Sequence, residues 1–231
     1  MKRASELKIV SLLDNYLPPK IRDSVILQTL LENYVWKNSR KHVKDFRLKS
    51  FDYTDSDLEE IYENLAIERP SNRPTDLNQT CINEILQSLH GETILEVGSG
   101  RGYLSELLSS RGKSVTSVDY VEPHSTPGYQ FVKGSVNSLP FEDASFDTVV
   151  CAHTLEHVPD IHGALDELRR VTKSRLIIVL PRERPYRWGL NLHMHFFPYM
   201  WMLKPLFGQR THSSTSFKDL GDWFCVEDKI R

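Results

Sequence analysis

Residues 93–105 read TILEVGSGRGYLS, an apolar run followed by three glycines in five positions and then the start of a new apolar pattern. Glycine weakens a regular element, so it is kept where φ must be positive or where something must approach the main chain closely. A buried strand that ends in such a turn and passes straight into a helix is the opening unit of a parallel α/β sheet. It gathers free backbone amides at the carboxyl end of the strand, where ligands of such sheets bind. The spacing of Gly98, Gly100 and Gly102 is G-x-G-x-G. A dinucleotide fingerprint would carry its third glycine five positions after the first, and this chain has Tyr103 there.

The residues around this turn keep the same rhythm. LNQTCINEILQSLHG, GYLSELLSSRG and DIHGALDELRRVTKS have helical spacing, the first two closing on Gly91 and Gly112. SVTSVD, YQFVKGS, FDTVVCA and RLIIVLP are short apolar strands between them. The alternation predicts an α/β fold with a doubly wound, mostly parallel, Rossmann-like sheet. Only nine residues separate Asp119 from Tyr129, fewer than the roughly ten to twelve of a helical crossover. A loop or single turn is expected there. DWFCVEDKIR is a further strand, and the pattern leaves open whether THSSTSF pairs with it or the sheet is one strand short.

The first third of the chain differs. Residues 1–50 hold eleven Lys and Arg against five acids, and residues 51–70 hold seven acids and one Arg. Such neighbouring blocks read as solvated helix faces that complement one another, whereas a nucleic-acid arm would carry the positive block alone. SVILQTLLENYVW places Val25, Ile26, Leu30, Leu31 and Val35 at helical spacing. DSDLEEIYENLA is expected to be a second helix, opened by an Asp or Ser cap. ERPSNRPTD marks the boundary, making residues 1–74 a helical appendage and residues 75–231 the sheet domain. A formal net charge of −2 offers no general attraction to nucleic acid. Cys81, Cys151 and Cys225 are widely spaced without a CxxC, which argues against a disulfide framework and for a reducing, cytoplasmic setting. The opening MKRASELKIVSLLDNYL is interrupted by Lys8 and Asp14, so it reads as an amphipathic helix rather than a signal peptide.

Two further landmarks sharpen the reading. Asp119 ends SVTSVD, where a carboxylate can accept from both hydroxyls of a ribose. The stretch GSVNSLPFEDASFDTVVCAHTLEHVPD follows it. As an ordered set over roughly residues 75–182, these segments resemble the class I S-adenosylmethionine-dependent methyltransferases. The nearest group is type 11, which includes ubiquinone/menaquinone-biosynthesis methyltransferases. The resemblance implies S-adenosyl-L-methionine as cofactor. Glu96 and the backbone at Gly98 and Gly100 would face its methionine part, and Asp119 its ribose. Tyr120 would pack on the adenine, Ser135 and Val136 would lie at the adenine edge, and Ala152 and His153 would touch the methionine end. Two departures stand out. Ser135 replaces an acidic acceptor common in relatives and offers one weaker neutral bond, so that either cofactor affinity is reduced or Asn137 helps. His153, Glu156 and His157 stand where some quinone O-methyltransferases have a metal-binding E-x-x-E-H, and no metal is assigned here.

Methyl transfer from a sulfonium is an in-line displacement that gains most from placement. A hydroxyl acceptor also needs its proton removed, for which histidine suits neutral pH. His153, His157 and His195 are the catalytic candidates. Residues 183–207 follow a strand end and are dense in aromatics, with Arg187, His193 and His195 among them. They are expected to form an acceptor-side insertion, with Trp188 in its wall and the helices of residues 5–35 as a lid. A core-facing aromatic stripe, expected for Trp201 and Leu203, and a peripheral membrane contact are the other readings of this stretch. The expected activity is transfer of a methyl group to a small-molecule or lipid-linked acceptor, at a hydroxyl oxygen. The rivals are a catalytically silent cofactor-binding subunit and a nicotinamide-dependent oxidoreductase, the latter opposed by the glycine spacing.

Overall fold

The computed structural model describes residues 12, 15–22, 24–43, 46–68, 73–123, 128–185, 191–208 and 212–230. Its strands are β1 (Thr93–Val97), β2 (Ser114–Asp119), β3 (Gln130–Lys133), β4 (Phe146–Ala152), β5 (Thr172–Leu180), β6 (Ser213–Asp219) and β7 (Trp223–Lys229). They form one seven-stranded sheet in the order β3-β2-β1-β4-β5-β7-β6. The first five pair in parallel, and β7 runs antiparallel to both β5 and β6. The chain winds outward from β1 to β3 and then returns to place β4 on the other side of β1. The carboxyl ends of β1 and β4 therefore flank the switch in winding direction, where an open α/β sheet has its crevice.

The central strands carry near-continuous apolar runs because helices cover both faces. Leu176 to Leu180 of β5 are essentially inaccessible. One face packs on Ile161, Leu165 and Leu168 of the Ile161–Val171 helix, the other on Ile85 of the Gln79–Ser88 helix and on Leu104 and Leu108 of the Tyr103–Ser109 helix. Truncating a leucine such as Leu165 to alanine in this setting costs about 2–5 kcal/mol.

The structure settles the strand left open by the sequence. THSSTSF supplies β6, paired with β7 from Ser213↔Lys229 to Asp219↔Trp223. In the short link after β2 no helix forms among the described residues 120–123 and 128–129, and residues 124–127 lie outside them. Strands β2 and β3 still align from Thr116↔Gln130 to Asp119↔Lys133.

Two longer helices dominate the appendage, α1 (Val25–Trp36) and α2 (Asp55–Glu68). Thr54, rather than an Asp or Ser, caps α2: its amide donates to Asp57 Oδ2 at 2.8 Å, and the Asp57 amide donates back to Thr54 Oγ1 at 3.3 Å. This reciprocal pair satisfies two orphan amides of the first turn. Trp36, Val43, Phe46, Leu58 and Ile61 bury themselves against Leu192 and Met194, a small core separate from the two that line the sheet. The appendage thus packs onto the segment that follows β5. Among the described residues no helix is long and apolar enough to cross a membrane.

Candidate active site

The glycine turn after β1 is built around its positive φ values, 75° at Gly98 and 54° at Gly100. At Gly98 the Thr154 side chain occupies the place a Cβ would need, whereas beside Gly100 that place is open. The Gly100 amide donates to Asp119 Oδ2 at 2.8 Å, and the Val121 amide donates to Asp119 Oδ1 at 3.0 Å. One carboxylate therefore ties the ends of β1 and β2 together. A carboxylate has about four acceptor positions, so capacity remains for a diol. Burial pushes the Asp119 pKa up, against the backbone amides that lower it.

Beneath the turn, Glu96 is buried and receives a hydrogen bond from the Ser105 hydroxyl at the start of the following helix. Burial pushes its pKa up to about 8, against the lowering effect of Ser105. A protonated acid at neutral pH that would ionise beside an incoming cation suits the ammonium end of an amino acid.

Tyr120 and Ser135 meet through their hydroxyls at 3.2 Å, and the Asn137 amide donates to Ser135 Oγ at 3.1 Å. Val136 is buried beside them. Tyr62 of α2 stacks on Tyr120 with ring centroids 6.2 Å apart and 19° between planes. It also meets His157 edge to face at 6.0 Å. Burial, with Glu156 and Asp119 adding to it, holds the Tyr62 phenol far above its ordinary pKa.

Ala152 ends β4, and His153 takes up a left-handed backbone at φ 53°, a conformation uncommon outside glycine. From there the chain turns through Leu155–His157 and gathers imidazoles around one acid. The fully buried Glu156 Oε1 lies 3.4 Å from His153 Nδ1, 3.8 Å from His157 Nε2 and 4.0 Å from His193 Nε2. Outer partners fix each ring. His153 Nε2 lies 3.4 Å from Asp222 Oδ2, and His157 Nδ1 lies 3.1 Å from the Leu192 carbonyl. His193 Nδ1 lies 3.1 Å from Asn191 Nδ2, which also donates to Glu183 Oε1 at 2.8 Å, and 3.3 Å from Glu183 Oε2. Burial pushes the Glu156 pKa up, but the imidazoles, His153 foremost, outweigh it and bring it down to about 2. Burial and His193 press His157 down to about 4, so at neutral pH it is an uncharged base. Glu156, His157 and His193 each offer one ligand atom within 4.8 Å of the others, a donor set able to hold a divalent cation.

Of the catalytic candidates, His153 and His157 belong to this cluster. His195 lies apart, its Nε2 2.8 Å from the Val158 carbonyl and its ring edge-on to Phe51. The amides of Met194 and His195 both donate to the Glu156 carbonyl, clamping the segment onto the site. Leu192, Phe197 and Leu203 are buried as an acceptor wall or a core stripe would require, but Trp201 is 65% exposed and stacks on Tyr199. Tyr186, Arg187 and Trp188 lie outside the described residues, as do residues 5–11, 13, 14 and 23 of the expected lid. Among the described residues, the appendage reaches the histidine cluster through Tyr62 of α2, the segment after β5 through Phe51 beside His195, and Arg184 through Asn15, whose Oδ1 accepts from it at 2.8 Å. Glu183, Asp222 and Tyr62 carry no motif that marks them in the sequence.

Residues 95–180 match the family model described as a methyltransferase domain, and this stretch is one. Among curated relatives, the demethylmenaquinone methyltransferase of Thermobifida fusca is 34% identical over 122 residues, 44% of this chain and 52% of its own length. The ubiquinone biosynthesis O-methyltransferase of Paracidovorax citrulli is 36% identical over 100 residues, 38% of this chain and 42% of its own length. The chain thus spans about half the length of these relatives or less. The fold is that of the 1,6-didemethyltoxoflavin-N1-methyltransferase of Burkholderia thailandensis, solved with its substrate and S-adenosylhomocysteine, at a TM-score of 0.61 and 17% identity over 75% of this chain and 88% of that one.

Proposed function

We propose that this chain, which carries a methyltransferase domain, moves a methyl group from S-adenosylmethionine to a hydroxyl of a small-molecule or lipid-linked acceptor. The observation that carries the reading is the Asp119 carboxylate bridging Gly100 and Val121 at the crevice, with buried Glu96 below it and the histidine cluster beyond Thr154. The residues fit the cofactor chemically. Asp119 has acceptor capacity for the ribose diol, the space at Gly100 admits a ligand against the backbone, and Glu96 can ionise beside the amino group. Tyr120 and Val136 would flank the adenine. When bound, the cofactor supplies an electrophilic methyl group on a sulfonium.

The chain's own contribution is placement and proton handling. An imidazole whose far nitrogen is held by a carboxylate keeps one tautomer and presents its other nitrogen as a base, the logic of hydrolase triads. His157 has the equivalent arrangement, its Nδ1–H donating to the Leu192 carbonyl, while His193 Nδ1, beside it, lies within reach of the Asn191 Nδ2 donor as well as of Glu183. His153, clasped between Glu156 and Asp222, orients that acid. A base so placed adds about 10²–10⁴-fold to the rate. The exposed Tyr199–Trp201 pair supports an acceptor carried at a lipid surface, since such rings favour the membrane–water boundary.

The test is incubation of the purified chain with methyl-labelled S-adenosylmethionine and fractionated cell extract. Base-stable label in a small or lipid-soluble product, formed by the chain alone, is the expected result. Cofactor binding with no transfer in any fraction would instead make the chain a silent subunit.

A further inference from the structure

We infer that the appendage takes part in reading the adenine, through Asp55 acting on Asn137. This rests on the cofactor reading above, which sets the base against Tyr120, Ser135 and Val136. The amino group of an adenine needs an acceptor at that edge. Ser135 is poorly placed to be it, because its hydroxyl already accepts from the Asn137 backbone N–H and pairs with the Tyr120 hydroxyl. Asn137 Oδ1, by contrast, is sealed from solvent and has no hydrogen-bond partner. A buried acceptor left unsatisfied costs about 1–3 kcal/mol, and the amino group of a bound base would satisfy it.

The orientation of that amide is not arbitrary. Asn137 Nδ2 donates to Asp55 Oδ1 at 2.7 Å, and the Tyr120 hydroxyl donates to the same oxygen at 3.3 Å. An ionised carboxylate only accepts, so it selects the NH₂ end of Asn137 and turns the carbonyl end away from itself. Asp55 is itself held in place. It stands in the first turn of α2 behind the Thr54 cap, and the helix is moored to β3 by Lys133 bridging Glu59 at 2.6 Å and Glu63 at 2.7 Å. Asp55 is therefore a positioning residue, and Asn137 is the group that touches the base.

The experiment compares binding of S-adenosylhomocysteine and S-inosylhomocysteine, in which a carbonyl replaces the amino group, to the full chain by calorimetry. The wild type is expected to prefer the adenosyl compound by at least about tenfold, as a site with a fixed acceptor rejects an analogue lacking the donor. Asn137→Ala should bring the two affinities within about threefold. Asp55→Asn, which can pair with either end of the Asn137 amide, should do the same, and the double variant should add nothing further. If Asp55 only fastens the helix, Asp55→Asn and Asp55→Ala weaken both compounds equally and the preference survives. That outcome overturns the assignment while leaving the cofactor reading intact. A wild type that binds neither compound overturns the cofactor reading, and the inference falls with it.

Discussion

His193 is suspended between two buried acids: its Nδ1 lies 3.3 Å from Glu183 Oε2 and its Nε2 4.0 Å from Glu156 Oε1. Neither acid has ready access to water, so the ring serves both the fold and the proposed chemistry. Leaving a buried polar group without its partner costs about 1–3 kcal/mol, and 1 kcal/mol moves the melting point by about 2–4 °C at this chain length. His193→Ala should therefore melt well below the wild type. The base is tested at the neighbouring ring, His157, whose Nδ1 is held by the Leu192 carbonyl. His157→Gln should turn over about 10²-fold more slowly. Unchanged turnover in His157→Gln would remove it as the base.

Acid should loosen the site in two stages. His157 has its pKa lowered to about 4, so the fold favours the neutral ring. Its contribution is complete above the ordinary histidine value of about 6.5 and is lost as pH falls from there to 4. Glu156, lowered to about 2, contributes above the ordinary carboxylate range and loses that contribution only as pH falls further. Melting temperature followed from pH 7 downward should decline below about 6.5, and His157→Gln should flatten the upper part of that decline. A variant with the wild-type slope would place the titration elsewhere.

Glu96 has the opposite sign. Its pKa is raised to about 8, so its contribution is complete below the ordinary glutamate value of about 4.3 and is lost as pH rises through 8. Glu96→Gln should be less sensitive to pH than the wild type across that window. If the cofactor's ammonium ionises Glu96, binding at pH 7 releases a proton. Calorimetry in two buffers of different ionisation enthalpy should then give different apparent heats for the wild type and equal heats for Glu96→Gln.

Asp119→Ala should weaken S-adenosylhomocysteine about ten- to hundred-fold, the value of a hydrogen bond to a charged group at 1.5–3 kcal/mol. The same substitution frees the Gly100 and Val121 amides, so some loss of melting temperature is expected beside it. Unaltered affinity would detach Asp119 from the ribose.

The floor of the site was legible because its signals are local. An apolar strand, a turn that needs positive φ at Gly98, and an acid at the next strand end all fall within a short stretch. What escaped lies far away in sequence or violates a simple pattern. Asp55 meets Asn137 across 82 residues and Tyr120 across 65, and no local periodicity encodes such a meeting. Strand β6 was ambiguous because an edge strand with one buried neighbour can be built from Ser, Thr and Lys. The aromatic stripe was legible only in part. Its helical part starts only after Pro198 and is closed at Gly208, leaving a short helical turn at Met200–Met202 and a five-residue helix at Leu203–Phe207. Trp201 is left outside while Leu203 goes in. The cap of α2 could have been read, since Thr54 and Asp57 have the spacing of a capping box, but Asp and Ser neighbours compete for the same role.

The small core shared by the appendage and Leu192–Met194 gives the molecule a roof that is not continuous with its floor. Among the described residues a cluster of seven buried side chains holds the one, and a hydrogen-bonded sheet sealed on both faces holds the other. Regions with few buried apolar contacts open at a lower free energy than the whole domain. The roof is therefore expected to open before the sheet does, with the amides of Trp36, Phe46, Leu58 and Ile61 exchanging with solvent ahead of those of β4 and β5.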